Sequence, residues 1–322
     1  MLTRRYLRIK VLQELYAFSR NQETDLAKAE DKMLLNIRKI YDLYIYQLSY
    51  LLELRDFEED RQEEAKSKYY PTQEDLNPNP KFINNPLLKQ IENNNMFQNY
   101  RKKLKINWGD QRDTIRQSLK RIRESEPYQK YMNSSSESYE EARQFLIKII
   151  TTVLPDDELL IFFYEDKNVN WVNDFDASLV MLEKTFRYMR ATDDEYKPLP
   201  GLFSEENTED GKNLDEVFVK KLFLSVLQNV NELDKLIKER TEKWDFDRIA
   251  ILDIITLRMA ITEFMHFETI PVKVTINEYI ELSKIFSTPK SSVFVNGLLD
   301  KLKKEFIQED KIKKIGRGLI DD

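Results

Sequence analysis

Pro271-Val-Lys-Val-Thr-Ile-Asn-Glu-Tyr-Ile-Glu-Leu-Ser-Lys284 runs on through Ile285-Phe286 into Ser287-Thr-Pro-Lys-Ser-Ser-Val-Phe-Val-Asn-Gly297. The stretch reads as a helix, a proline-marked turn and a second helix. Val274, Ile276, Ile280, Leu282 and Ile285 give an apolar set at near-helical period. Pro271 suits a first helical turn, and Ser287, Thr288 and Pro289 interrupt the pattern and can cap the second helix. Val293, Leu298, Leu299 and Leu302 extend the apolar stripe. Periodicity alone says that two amphipathic helices pack on a core.

Working outward, three further stretches stand in a definite order around this one. Trp244-Asp-Phe-Asp-Arg248 and Leu257-Arg-Met-Ala-Ile-Thr-Glu-Phe264 precede it, and Arg4-Arg5-Tyr-Leu-Arg8 with Leu12-Gln-Glu-Leu-Tyr16 opens the chain. Together the four motifs resemble the transcription antitermination factor NusB family, over roughly residues 2–20 and 212–306. The resemblance implies two small helical bundles, one built from 2–20 and about 212–242, the other from about 243–306. It leaves the middle of the chain unexplained.

Composition narrows the function classes independently. A length of 322 is a soft prior for two domains. A net charge of −6 and a pI near 5.3 argue against an overall basic coat, so any RNA site must be a local cluster of Lys and Arg. The chain has no Cys and one His, which removes disulfides, thiol nucleophiles and Cys-based zinc sites. Six glycines leave little room for phosphate-cradling loops, and neither GxGxxG nor a Walker pattern occurs. No apolar run reaches membrane-spanning length, since Ile249–Ile261 is broken by Asp253 and Arg258. With no signal-peptide pattern, the expected compartment is the cytoplasm. With 34% charged residues and long 3.6-period segments, the expected class is all-α, without cofactor or catalytic centre.

The expected organisation has four parts: a first helix within 1–20, a helical insertion and linker over 21–211, the rest of the core over 212–306, and a frayed charged tail over 307–322. In the insertion, helices are expected at 25–53 and 56–68, the second solvated, with a loop over 71–86. Others are expected near 87–105, 110–124, 137–152, 156–165 and 173–190. Residues 197–211, rich in Pro and acid, form the linker candidate. Helices over 214–240, 245–267, 272–286 and 291–306 complete the chain.

Sliding the chain by 73 residues produces an internal echo. Phe145 falls on Phe218, Lys148 on Lys221, Leu160 on Leu233, Trp171 on Trp244, Asp174 on Asp247 and Leu179 on Leu252. Either 140–190 is a second NusB-like helical unit that lacks the RNA-reading segments, or two unrelated helix pairs share an amphipathic stripe.

Arg4, Arg5, Arg8 and Lys10 lie within two turns at a helix start. With Leu7, Val11, Leu12 and Leu15 inward, the cations are expected to point outward, where the helix dipole also favours phosphate. The plain alternative is a solvated basic face. Resemblance to the family favours the former, because the family binds the boxA element of ribosomal RNA leaders through this segment. Tyr6 stands where a further basic residue can occur. Phe294 fits either a core position or a base-stacking one. Asn296-Gly297 fits a helix-interior polar pair or a backbone approach site, and glycine inside a helix, which costs about 1 kcal/mol relative to alanine, suggests close packing.

Tyr16, Asp253 and Lys290 match family positions near the surface for ribosomal protein NusE, and a lysine at 290 departs from the acidic residue familiar there. Asn277, Glu278 and Glu281 suit hydrogen bonds that tie helices together. His266 suits a helix C-terminus, where the dipole favours its charged form. Gly316-Arg317-Gly318 carries only a slight nucleic-acid signal.

The resemblance therefore implies an antitermination factor that binds boxA-type single-stranded RNA with NusE and joins the complex with RNA polymerase. The rival is a helical scaffold that has lost RNA binding and docks protein partners. An RNA-modifying enzyme is disfavoured, because no residues remain for a cofactor-binding α/β domain.

Overall fold

The computed structural model describes residues 1–21, 24–204, 208, 210–241 and 248–320. Among them are fifteen α-helices and no strand, so the all-α class holds. In chain order they are α1 (Arg4–Asn21), α2 (Leu26–Lys66), α3 (Gln73–Leu76), α4 (Pro86–Asn93), α5 (Asn95–Lys103), α6 (Arg112–Glu124), α7 (Glu126–Asn133) and α8 (Tyr139–Thr152). Next come α9 (Glu158–Lys167), α10 (Phe175–Tyr188), α11 (Leu214–Gln228), α12 (Val230–Lys238), α13 (Ile251–His266), α14 (Val272–Phe286) and α15 (Pro289–Gln308). The Trp244–Asp247 motif, the helix start expected at 245 and the end of the tail at 321–322 lie outside the described residues. So do 205–207 and 209 of the linker candidate.

The chain divides into two compact units. The first holds Met1–Leu2 and Arg38–Leu202, the second Thr3–Ile37 and Phe203–Asp322. The division differs from the expected 21–211 block, because the start of α2 belongs with α1. Glu14 of α1 accepts from Asn36 Nδ2 at 3.1 Å and pairs with Lys32 Nζ at 3.1 Å.

Helix α2 is one 41-residue rod, without the break expected at 53–56. Glu53-Leu-Arg-Asp56 contains no Gly or Pro, so nothing interrupts the backbone ladder. Its far half is solvated on one face only. Arg55, Glu58 and Gln62 are buried, with Arg55 bidentate to Glu92 at 2.7 and 2.8 Å and Arg61 bidentate to Glu58 at 2.8 and 2.7 Å.

The first unit is organised around residues 38–54 of α2. Two of its polar side chains pair in register: Tyr44 Oη meets Thr185 Oγ1 at 2.8 Å, and Gln47 Nε2 donates to Ser178 Oγ at 3.2 Å. Trp171 Nε1 donates to the Lys39 carbonyl at 2.8 Å. Tyr46, Trp108, Tyr164 and Trp171 form an edge-to-face cluster beside them, a geometry worth roughly 0.5–1.5 kcal/mol per pair beyond area burial.

In the second unit α1 lies against α11 and α13, and α14 packs between α13 and α15. Leu7, Val11, Leu12 and Leu15 are all buried, as their spacing requires. On α14 the buried stripe is Val272, Thr275, Ile276, Tyr279, Leu282 and Ser283. Val274 and Ile285, read from sequence as apolar-face residues, are 43% and 57% exposed, because 100° per residue carries them off that stripe. Val293 is likewise exposed, while Val295 takes the core position. Thr288 caps α15 by accepting from Ser291 N, and Pro289 fills the first helical position.

Adding 73 to the starts of α8, α9 and α10 gives 212, 231 and 248, against observed starts of 214, 230 and 251 for α11, α12 and α13. The helices thus recur in order at nearly the spacing of the echo. The Trp244 and Asp247 matches fall outside the described residues.

Candidate nucleic-acid interface

An open cleft of about 930 Å³ lies in the second unit, where the first turns of α1 and α14 meet residues 317 and 320 of the tail. The start of α14 has no side-chain cap, so that helix presents first-turn backbone N–H groups without intrahelical partners. Among the cleft's lining residues are Arg4, Arg5, Arg8, Lys273, Glu278 and Arg317.

The expected outward ridge is only half present. Arg4 and Arg5 keep 39% and 44% of their side-chain surface exposed. Arg8 and Lys10 are buried, at 2% and 6%. The reason lies in helix geometry: Arg8, Leu12 and Leu15 stand at i, i+4 and i+7, so Arg8 shares the inward stripe. Its guanidinium forms a fork with the fully buried Glu263 of α13, Nε to Oε2 at 2.9 Å and Nη2 to Oε1 at 2.7 Å. Burial alone would favour the neutral guanidine, but the charge and hydrogen bonds of Glu263 outweigh it and hold Arg8 firmly protonated.

Glu263 has further donors on α14. Thr275 Oγ1 donates to Oε1 at 2.8 Å and Tyr279 Oη to Oε2 at 3.1 Å. Burial, then the neighbouring carboxylate, pushes the Tyr279 phenol well above its usual range, so it remains a donor. One carboxylate therefore ties three helices together.

At the rim, Arg5 makes a second fork with Glu278 of α14, Nε to Oε2 at 3.0 Å and Nη2 to Oε1 at 2.9 Å. Arg4 lies 3.5 Å from Asp215 and over the Phe218 ring at 5.1 Å. The helix-tying role read for Glu278 is the one the geometry gives it. Phe294 is half-buried on α15 and is not among the residues that line the cleft.

The residues assigned to a protein partner are dispersed in character. Tyr16 is half-buried with the Arg20 guanidinium 5.7 Å above its ring, and Lys290 is exposed in the first turn of α15. Asp253, expected near a surface, is 4% exposed in the first turn of α13, with Oδ1 lacking a hydrogen-bond partner. The positive helix end there compensates a carboxylate in part.

Sequence reasoning missed Glu263, Asp215 and Lys273. A Glu at the end of the largely apolar Ile254–Phe264 run, five residues after Arg258, was the available signal, since such a residue stays buried only when paired. Among the described residues no group of three or more His, Cys, Asp or Glu could hold a metal ion. Nor is any described helix long and apolar enough to cross a membrane.

Comparison with known proteins places these features. The model of the NusB family matches residues 180–304, from within α10 to within α15. The chain is 40% identical over 125 residues to the transcription antitermination protein NusB of Chloroherpeton thalassium, covering 39% of this chain and 58% of that one. It is 41% identical over 103 residues to the protein of the same name from Salinibacter ruber, covering 32% and 64%. Against that of Thermodesulfovibrio yellowstonii it is 35% identical over 109 residues, covering 34% and 72%. The chain thus spans less than two thirds of the length of the first two relatives. No solved structure matches it significantly. On the family match and the extent of the last of these relationships, the chain belongs to the NusB family.

Proposed function

We propose that this chain is a transcription antitermination factor whose cleft holds a single RNA strand of the boxA type. Ribosomal protein NusE would supply the adjoining surface, and the pair would join RNA polymerase on ribosomal RNA operons. The observation that carries the reading is the meeting of Arg4, Arg5, Lys273 and Arg317 with two helix N-termini in one cleft. Guanidinium forks and first-turn N–H groups both suit phosphate oxygens. The acidic net charge does not oppose this, because contact depends on the local cluster.

RNA must compete with Glu278 for Arg5, so affinity of the chain alone is expected to be modest and to gain from NusE. Residues 38–179 are read as an added helical segment ahead of the part that the family model matches. A second reading, a scaffold that has lost RNA binding, has one observation in its favour: Arg5 and Arg8 are already engaged by Glu278 and Glu263.

Titration of fluorescent boxA RNA with the chain, with and without NusE, separates the two. The RNA reading expects saturable binding that weakens steeply with salt, with a slope of about −0.7 per phosphate neutralised on a single strand. Failure to bind under both conditions leaves the scaffold.

A further inference from the structure

The charged tail does not fray throughout: residues 314–320 dock on the second unit through several independent contacts. Lys314 Nζ donates to the Phe267 carbonyl at 2.8 Å and the Glu263 carbonyl at 3.3 Å, at the C-terminal end of α13, where the helix dipole favours a cation. Ile315 N donates to the Glu268 carbonyl at 3.0 Å. Gly316 turns with φ +54°, a conformation that favours glycine. Gly318 is buried so closely on the Glu268 carbonyl that an added Cβ would stand 2.0 Å from its oxygen. Burial lowers the proton affinity of the Lys314 amine against the opposing pull of Glu263 and Glu268, consistent with a seated side chain.

Between the two glycines, Arg317 is exposed and lines the cleft. The other arginines there are committed: Arg4 to Asp215, Arg5 to Glu278 and Arg8 to Glu263. Among the described residues Arg317 makes no ion pair, which leaves its five N–H donors available. The segment also lies beyond residue 304, where the family match ends.

We propose that residues 314–320 form a docked arm of the cleft, with Arg317 contacting the phosphate backbone of the bound RNA strand. The proposal rests on the RNA reading above and adds a contact to it. Lys314, Gly316 and Gly318 are positioning residues: they seat the segment, and Arg317 touches the ligand. A guanidinium held on a seated loop loses little freedom on binding, so its contribution is larger than that of a cation on a free tail.

The test uses the full chain, a labelled boxA RNA and a salt series. Arg317→Ala should weaken binding about tenfold at low salt and reduce the salt slope by about 0.7, the signature of one lost phosphate contact. Gly318→Val should cause a similar loss by unseating the arm, without adding to that of Arg317→Ala, and should speed tryptic cutting after Lys314 and Arg317. RNA binding by the wild-type chain that Arg317→Ala leaves unchanged, or strengthens, overturns the arm while the cleft reading stands. Equal tryptic rates in wild type and Gly318→Val overturn the docked segment. Absence of wild-type binding, with or without NusE, overturns the RNA reading and the arm with it.

Discussion

Glu263 holds Arg8 in a two-pronged pair at 2.7 and 2.9 Å, with both side chains inaccessible to solvent. Such a pair is a junction more than a source of net stability, since desolvation offsets much of the attraction. Breaking it from one side is costly. Arg8→Ala or Glu263→Ala should destabilise the second unit by about 3–5 kcal/mol, measured by urea unfolding. Replacing both by apolar residues of similar volume should cost far less than either single change.

Arg5 provides the contrasting case. Its pair with Glu278 is half exposed, so Arg5→Ala should cost no more than about 1 kcal/mol of stability. The same substitution, combined with Arg4→Ala, should reduce boxA affinity by about tenfold or more while the circular dichroism stays helical. Glu278→Gln should raise affinity at low salt by releasing Arg5. The comparison separates a folding arginine from a binding one, and equal affinity losses without stability loss at positions 5 and 8 would contradict the division.

Gly297 lies on the exposed side of α15, and an added Cβ there meets no atom within 4 Å. The close packing inferred from the sequence is absent within the described chain. Gly297→Ala should therefore stabilise the protein by about 0.5–1 kcal/mol in thermal unfolding. If the same variant also weakens capture of NusE, that face of α15 is where a partner backbone approaches.

His266 is the single histidine, so its titration is read directly from one imidazole C2 proton resonance. Position in the last turn of α13 favours the charged form, but partial burial and the nearby Lys221, whose Nζ donates to the His266 carbonyl at 2.5 Å, lower its pKa from 6.5. The unfolded chain then binds the proton more readily than the folded one. Stability should fall as pH drops from 6.5 through the folded pKa, modestly because the side chain is largely exposed. Lys221→Met should move the titration upward. A wild-type value above 6.5 would show that the dipole dominates.

Most helices are legible in the sequence because apolar spacing and capping residues agree, as at Thr288 and Pro289. The misreadings fall where local patterns are silent. Nothing in Glu53–Asp56 marks a break, yet a dip in hydrophobicity there suggests one. The split of 214–240 into α11 and α12 likewise carries no Pro or Gly. At the cleft, charge alone suggests that Arg4, Arg5, Arg8 and Lys10 act as one patch. Helix spacing sets Arg8 on the stripe of Leu12 and Leu15, but its partner Glu263 lies 255 residues away, and no local signal can specify a contact at that distance. The seating of Arg317 depends on the bend at Gly316 and the absence of a Cβ at Gly318, features that sequence reports only as two glycines.

That separation of 255 residues also has a consequence for biosynthesis. At roughly 5–20 residues per second, α1 waits on the order of 10–50 s on the ribosome before Glu263 is even polymerised. Meanwhile the contiguous stretch 38–202 has emerged in full and can collapse on its own contacts. The nascent first helix, with Leu7, Leu12 and an unmatched Arg8 uncovered, is the vulnerable species during that interval. Its capture by Glu263 comes late in synthesis, and Glu278 reaches Arg5 later still.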